Sequence, residues 1–478
     1  METLQRTANR GSVSTGYDIS NSLKLEHDND EQLERASSDG NRRTWTLSCW
    51  FKMSDIDADY GYVLQHFGVN NQATRILVDP GNNFQLQVDL CDTGTDVYRT
   101  YTTAEFRDCA AWYHVVVAVD TTQGTDSNRL KIYINGNQVT SFSQVQYPTQ
   151  NLDTLANVDG YGNEAIATFP WAGSTYDGMF SGYIAEHILV DGQQLAASDF
   201  GEFDDDAPQI WKPKDPSSIT FGTNGHWLKF DSSGSLGADS SGNSNNYTLD
   251  ALTAADQATD TCTNNFCTMN QLWDNSYTDF TEGNTNVDTT GSGWISMTST
   301  FAVKKGKWYW EFKTDSGNAF VGVSDAEEQN IPRSTAGYFF GHNDDGGTNS
   351  LGMYNVNGQV YNSPGGTPDG VAFGTSDIIG VAVDMDNNRL YYHKNGTYAG
   401  SMDPAAGTGG VTIPSDWNSE YIYMGFSGFN GSYAVNFGGY TTISISSAES
   451  DGNNYGNFEY APPSGYYSLC TKNLAEYG

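Results

Sequence analysis

One phrase is written twice in this chain, and it constrains the fold more than any other feature. "WYHVVVAVDTTQGTDSNRLKIYINGNQV" runs from Trp112 to Val139, and "DIIGVAVDMDNNRLYYHKNGTYAG" runs from Asp377 to Gly400. Each has an apolar run closed by Val-Ala-Val-Asp, a polar loop, Asn-Arg-Leu, a short alternating stretch and Asn-Gly. An apolar run of that length followed by alternation is a buried strand and then a half-buried one. Asn-Gly supplies the two positive φ angles that a type I′ hairpin turn demands. The same strand and hairpin used twice predicts two domains of kindred architecture, with Val119 and Val383 facing their cores and the aspartate ending each strand.

The rest of the chain fits that expectation. A length of 478 residues exceeds one ordinary core. With 52 Gly and 29 Tyr, and with no convincing helical period beyond short stretches near Leu195–Phe200 and Leu252–Asp256, the class is all-β, built as layered sandwiches. Strand patterning begins at "NSLKLE" and strengthens at "RTWTLSCWFKM", where Trp45, Leu47, Cys49 and Phe51 alternate with Thr46, Ser48 and Trp50. It weakens after Phe203, at "FDDDAPQIWKPKDP", and returns at "GSGWISMTSTFAVKKGKWYWEFKT". The expected organisation is an N-terminal arm over 1–20, a sandwich over 21–203, a connector packing on its neighbours over 204–263, a second sandwich over 264–446, and a C-terminal segment over 447–478.

Charge narrows the partners. There are 58 acidic residues against 23 basic, a formal net of −35. Such a surface repels phosphate backbones and anionic membranes, so nucleic-acid binding is disfavoured. No apolar run approaches the roughly 20 residues of a membrane helix, and no membrane insertion is expected. The opening "METLQRTANRGSVSTGYDIS" has no signal-peptide apolar core. The six cysteines are too sparse for a disulfide scaffold. Cys49 reads as a small core residue, while Cys262 and Cys267 in "CTNNFC" could bridge or bind metal but lack a second pair or a His cluster. Synthesis in a reducing cytosol follows as an expectation.

Enzyme motifs fail on inspection. A glycosidase needs paired carboxyl groups flanking the scissile bond, which alternation along one inward strand would aim into a cleft. "YIAEHILVDG" offers Glu186 alone, and "WYWEFKTD" offers Glu311 and Asp315 with Lys313 between them. No nucleophile elbow, zincin pair or phosphate loop appears. His114 and His187 sit in apolar strand sequence and read as satisfied core imidazoles. The chain is therefore expected not to be an enzyme and to need no cofactor, with calcium the one candidate ion. "DMDNN" places Asp384, Asp386 and Asn388 at alternating positions, but in a turn that favours Asp and Asn anyway. "FDDD" (203–206) and "HNDDGG" (342–347) are equal candidates.

Binding asks for exposed rings and planar polar groups. The long loop "GYGNEAIATFPWAGSTYDG" supplies Tyr161, Asn163, Trp171, Tyr176 and Asp177. Loops of the second sandwich supply Tyr354, Asn355, Trp417, Phe429 and Asn430.

Two resemblances rest on these residues. The first sandwich, through "RTWTLSCWFK", "WYHVVVAVD", "LKIYINGNQV" and "FSGYIAEHILVDGQQL", resembles a laminin-G-like, concanavalin A-like module. The second, through "GKWYWEFKT", "AFVGVSD", "DIIGVAVDMDNNRLYYHKNGTY" and "YMGFSGF…YAVNFGG", resembles a SPRY domain. Both families are curved, jelly-roll-like sandwiches. Asp79, Asp120 or Asp153 join the calcium candidates only through the family resemblance of the first sandwich. The combination, with "TANRGSVSTGYDISNSLKLE", "GEFDDD…WKPK" and "PPSGYYSLCTKNL", is similar to surface proteins of tailed bacteriophages of aquatic bacteria. That resemblance implies a virion surface protein, made in the host cytoplasm, acting as a tail fibre, receptor-binding protein or head fibre. Its arm or C-terminal segment would dock on other virion proteins, its loops would meet a host glycan or protein, and copies would associate, a trimer being favoured. A polysaccharide-degrading enzyme of the same fold and a purely structural capsid cement protein are the alternatives.

Overall fold

The computed structural model describes residues 16–478 apart from 55, 57–60, 70–71, 94–96, 170–179, 206, 274–276, 292, 327–338, 342–348, 363–364, 416 and 418–420. The described chain is all-β and divides between Thr263 and Asn264 into two compact units. No helix among the described residues is long and apolar enough to cross a membrane.

Two eight-stranded sheets form the body of the first unit, and Gly201–Phe203 pairs with Trp211–Pro213 in a separate two-stranded sheet. One of the large sheets orders Asn137–Gln138, Leu130–Ile134, Tyr113–Asp120, Thr44–Met53, Gly182–Asp191, Ser22–Leu25 and Gln257–Ala258, with His226–Leu228 pairing on Gly182–Asp191. The other runs Phe142–Gln144, Val97–Glu105, Gln85–Cys91, Gln72–Asp79, Tyr62–Val69, Asn163–Ile166, Gln32–Ala36 and Thr248–Asp250. The alternation foreseen in Thr44–Met53 puts Trp45, Leu47, Cys49 and Phe51 in one core with Val115, Val117 and Val119 of the next strand and Leu86, Val88 and Leu90 of the opposite sheet. The stretch 204–263, which carries weak periodicity, contributes an edge strand to each sheet through Gln257–Ala258 and Thr248–Asp250. It also supplies Asp256, 2.9 Å from the buried Lys24 ammonium, and Asp260, 2.8 Å from the buried Lys52 ammonium.

The second unit pairs a nine-stranded sheet with a six-stranded one. Lys307–Thr314 is central in the larger sheet, between Gly431–Asn436 and Ile379–Asp384. The smaller runs Ile295–Val303, Ile422–Phe429, Asn318–Asp325, Ser350–Tyr354, Val360–Tyr361 and Gly366–Thr367. Phe312 meets Phe426 across the layers at 5.0 Å between ring centroids, and the Tyr392 hydroxyl donates to the Val321 carbonyl at 3.0 Å. The C-terminal segment both extends this sheet and packs on it: Tyr467–Ser468 pairs in parallel with Lys307–Thr314, and Phe458 packs edge-on against Tyr309. After it, Thr471–Tyr477 forms a short α-helix that no period in the sequence announces. The two stretches with weak helical character are single 3-10 turns, Ala197–Asp199 and Ala254–Asp256. All six cysteines are free thiols.

The repeated phrase has one structural explanation in both units. Each apolar run is a buried central strand, and each Asn-Gly closes a hairpin with both residues at positive φ: Asn135 at 45° and Gly136 at 80°, Asn395 at 49° and Gly396 at 79°. Each asparagine also ties the turn back to the start of the buried strand. The Asn135 Oδ1 accepts from the His114 amide at 2.8 Å, and the Asn395 Oδ1 accepts from the Ile378 amide at 2.8 Å. The terminal aspartates close the intervening loop, Asp120 accepting from the Thr122 amide and hydroxyl, and Asp384 from the Asn387 amide at 3.0 Å. The phrase is a brace, and it is repeated because each sandwich needs one.

Candidate functional site

Aromatic rings converge at one end of the smaller sheet in the second unit. Trp294 enters Ile295–Val303, Phe320 lies in Asn318–Asp325, Tyr354 ends Ser350–Tyr354, and Phe429 ends Ile422–Phe429. Antiparallel register brings these four strand ends to one rim. Phe320, buried, is the keystone: Phe339 stacks on it at 4.0 Å and Tyr354 at 4.5 Å, while Trp294 meets it edge-on at 4.9 Å. Phe429 is 5.3 Å from Trp294, and Tyr361 stands edge-on to Phe320. Trp294, Phe339, Tyr354, Tyr361 and Phe429 all keep part of their surface in solvent. Exposed Asn430 turns the hairpin at a φ of 46°, and Asn357, Gln359 and Tyr361 form a hydrogen-bonded polar edge. Ring faces beside planar amides can take the C–H face of a sugar or an aromatic or aliphatic side chain.

Of the sequence candidates, Tyr354, Phe429 and Asn430 reach this rim. Asn355 adjoins it but is buried, its Oδ1 accepting from the Ala319 amide at 3.0 Å, so it holds the strand end. Trp417 is at the other end. It lies beside Ile422, where Ile422–Phe429 begins, roughly 23 Å along the strand from Phe429 at about 3.3 Å per residue. Trp294, Phe320, Phe339 and Tyr361 had no signal in the sequence beyond being aromatic residues at strand ends.

In the first unit, Trp171, Tyr176 and Asp177 lie outside the described residues. Tyr161 donates its hydroxyl to the Thr93 carbonyl at 3.0 Å and packs beside Cys91, Leu155 and Val158. Asn163 begins the Asn163–Ile166 strand, its amide donating to Glu34 at 3.0 Å. Sequence reasoning missed the outward side of the second sheet, where alternation in "FQLQVDL" points Gln87 and Asp89 away from the core. There Asp79, Tyr101, Gln87 and Asp89 form a ladder of hydrogen bonds across three strands. Arg75 and Arg99 clamp Asp89 at 2.9 and 2.8 Å.

The candidate calcium loop is already engaged internally. Asp384 is fully buried and bound by Lys307 at 3.0 Å and by the Asn387 amide and side chain. The Asp386 Oδ1 accepts from the Gly306 amide, and the Asn388 carbonyl accepts from Ile413. Asp120 is likewise turned onto its own loop, Asp153 pairs with Arg43, and Asp204 accepts from Ala207 and Lys212. Asp79 belongs to the ladder, and Asp206 and 342–347 lie outside the described residues. Among the described residues, Glu26, His27 and Asp28 form the one group with three close ligand atoms. Glu26 faces the His27 Nδ1 and Asp28 faces its Nε2. These three ligand atoms lie within 4.8 Å of one another.

Two arrangements look catalytic, and their protons say otherwise. The Ser48 hydroxyl lies 2.8 Å from the His114 Nε2, a nucleophile-and-base spacing. But the Trp211 indole, a donor without acceptor capacity, points at Nδ1 from 3.0 Å. That places the ring proton on Nε2, which donates to Ser48 and cannot take its proton. Burial keeps this ring neutral, its pKa lowered to about 3. His187 and His226 similarly satisfy each other at 2.9 Å, with the Leu64 carbonyl beyond at 3.2 Å. Glu186 sits at a φ of 47° in a bulge of Gly182–Asp191, and burial raises its pKa to about 7. Both its oxygens are held, by Tyr17 at 2.9 Å and Trp227 at 2.5 Å. Glu311, raised to about 7 by burial, accepts from Tyr309, Asn436 and the Glu459 and Tyr460 amides, knotting the C-terminal segment to the sheet.

Comparison with known proteins places families on both units. Residues 26–186 match the concanavalin A-like lectin/glucanases superfamily in its laminin-G form, and residues 307–438 match the SPRY domain. Among solved structures, the SPRY domain of human HERC1 is 14% identical, covering 34% of this chain and 90% of that one, with a TM-score of 0.24. The heptameric SAP-like pentraxin of Limulus polyphemus is 15% identical, covering 38% and 80%, with a TM-score of 0.28. Domains LG4-5 of the mouse laminin alpha1 chain are 13% identical, covering 89% and 90%, with a TM-score of 0.29. No curated protein matches.

Proposed function

We propose that this chain, a concanavalin A-like LamG domain followed by a SPRY domain, is a non-catalytic virion surface protein of a tailed bacteriophage that attaches to a host glycan or protein. Domains of both kinds generally mediate binding to glycans or proteins. The observation that carries the reading is the half-exposed aromatic rim around Phe320, with Asn430 and the Asn357–Gln359–Tyr361 edge beside it. The phage assignment is supported by the similarity of the opening, boundary and closing segments to that group, and by an acidic, highly charged surface suited to solubility. In this reading the arm or C-terminal segment docks on other virion proteins, no resident cofactor is needed, and several copies, as a trimer, add weak sites into firm attachment.

The test is adsorption. Labelled full-length protein should bind host cells, compete with phage adsorption, and be insensitive to EDTA. Trp294→Ala and Tyr354→Ala should each weaken cell binding about tenfold, in the range of a hot-spot truncation, with circular dichroism unchanged. Release of reducing ends from host polysaccharide would establish the degrading enzyme instead. Absence of cell binding, with particles that fall apart when the protein is lost, would establish the cement role.

A further inference from the structure

We infer that Lys24 and Asp256 are joined by a covalent amide bond, formed within the folded first unit with Glu31 as the proton relay. Strand register sets the pair up. Ser22–Leu25 pairs antiparallel with Gln257–Ala258, Ser22 opposite Ala258 and Leu23 opposite Gln257, so Lys24 and Asp256 come next along the same register. The Lys24 ammonium lies 2.9 Å from the Asp256 Oδ1 and 2.9 Å from the Glu31 Oε1. All three are buried, Lys24 being 0%, Glu31 3% and Asp256 5% exposed.

The reacting groups are fixed in place. The Thr253 amide at 2.7 Å and its hydroxyl at 3.1 Å hold the Asp256 Oδ2, which leaves Oδ1 to the lysine. Glu31 is fastened by the Glu26 amide at 2.8 Å and the Asn29 side chain at 3.1 Å. An amine held against a carboxyl group in this way needs no bimolecular encounter. In water the amine would be protonated and the carboxyl ionised, and neither would react. Here one cation faces two carboxyl groups away from solvent, and burial pushes the Glu31 pKa up to about 7, so its proton is available near neutral pH.

The step balances without a co-reactant. Lys24 passes one proton to the Asp256 carboxylate it touches, which leaves a neutral amine beside a neutral acid, with Glu31 protonated. The amine lone pair attacks the Asp256 Cγ. Glu31 gives its proton to the departing hydroxyl and takes one from the attacking nitrogen. The C–O bond breaks, one water leaves, and Glu31 ends protonated as it began. A buried ion pair is thereby exchanged for a neutral amide. The bond closes residues 24–256 into one covalent ring that contains the whole concanavalin A-like match, 26–186. Tension along the chain on either side passes through the bond and spares the sandwich, whose unfolded state is also constrained. Lys52 and Asp260, 2.8 Å apart, are the internal comparison. The group sharing Asp260 there is the Trp112 indole, which cannot take up a proton, and that pair stays ionic.

The bond does not depend on the attachment reading. Mass spectrometry of the full-length protein, folded and then denatured, tests it. The intact mass should be one water below that of the sequence. A tryptic digest should give one branched peptide joining Lys24 to Asp256, uncut after Lys24, with Lys52 and Asp260 in separate, unmodified peptides. Glu31→Gln and Asp256→Ala should each keep the water and lose the branched peptide, with circular dichroism reporting that the sheets remain. The full sequence mass in the folded wild-type protein, which means an ion pair only, overturns the inference. So does a lost water that maps to any other pair. A branched peptide in Glu31→Gln, at the wild-type level, overturns the relay. The wild-type mass decides the bond even where a variant fails to fold.

Discussion

Gly136 and Gly396 do more than turn a hairpin. A Cβ on Gly136 would lie 2.3 Å from the Trp211 ring, and one on Gly396 would lie 2.9 Å from Tyr460. Each also carries a positive φ near 80°. Gly136→Ala and Gly396→Ala are therefore expected to destabilise their domains by about 1–3 kcal/mol, from left-handed strain plus ring displacement. Gly124→Ala, with open space around it and no positive φ, is the neutral control, and urea midpoints distinguish the three. His114 supplies a pH signature. Its folded pKa is lowered by burial from 6.5 to about 3. The unfolded chain binds this proton more readily, so the contribution of the neutral ring is complete above about pH 6.5 and is lost as pH falls toward 3. His114→Gln should remove roughly 1.4 kcal/mol per pH unit from the slope of stability below pH 6. Glu311 works the other way: with its folded pKa raised to about 7, its contribution is complete below about 4.5 and declines as pH rises toward 7.

At the scale of elements, segments outside the obvious strands finish each sandwich. Asp260 reaches the Lys52 ammonium at 2.8 Å and accepts from the Trp112 indole at 3.0 Å, both lysine and aspartate being 1% exposed. Asp260→Ala removes the buried carboxylate that both Lys52 and Trp112 bind and should cost about 3–5 kcal/mol. The double change Lys52→Met/Asp260→Leu should recover most of that, and thermal melts of the three proteins would show it. The last residues have the same standing in the SPRY domain, where Tyr467–Ser468 extends the sheet and Asp451 accepts from Ser468 and Asn473. Removing residues 447–478 should lower the melting temperature of that domain and uncover Tyr309 and Glu311, whose partners include Phe458, Glu459 and Tyr460.

For the whole chain, the proposed function sets weak sites on domains that occur in many copies per particle. A monomeric form should then bind host cells far more weakly than an assembled one, by a factor of about 10² or more where the copies engage together. Surface plasmon resonance on captured cells or glycans, with free and clustered protein, measures that ratio. A ratio near one would remove multivalency from the account.

Periodicity alone settled the architecture. The runs around Val119 and Val383, the alternation through Trp45–Phe51 and the two Asn-Gly turns are local patterns, and a strand's side-chain period and a turn's φ angles are local physics. The same rules gave the outward Gln87 and Asp89, had they been followed off the core face. Sites are another matter, because they are made by strand ends that register brings together. Phe429 and Trp417 are twelve residues apart yet occupy opposite ends of one strand, while Trp294, Phe320 and Tyr354, spread over sixty residues, form one rim. Protonation was equally remote from the sequence: Trp211, ninety-seven positions from His114, fixes which nitrogen of that ring carries the proton. Local sequence wrote the strands and turns, and long-range pairing decided which rings, cations and protons meet, because contact between distant residues depends on register and layer packing that no short pattern encodes.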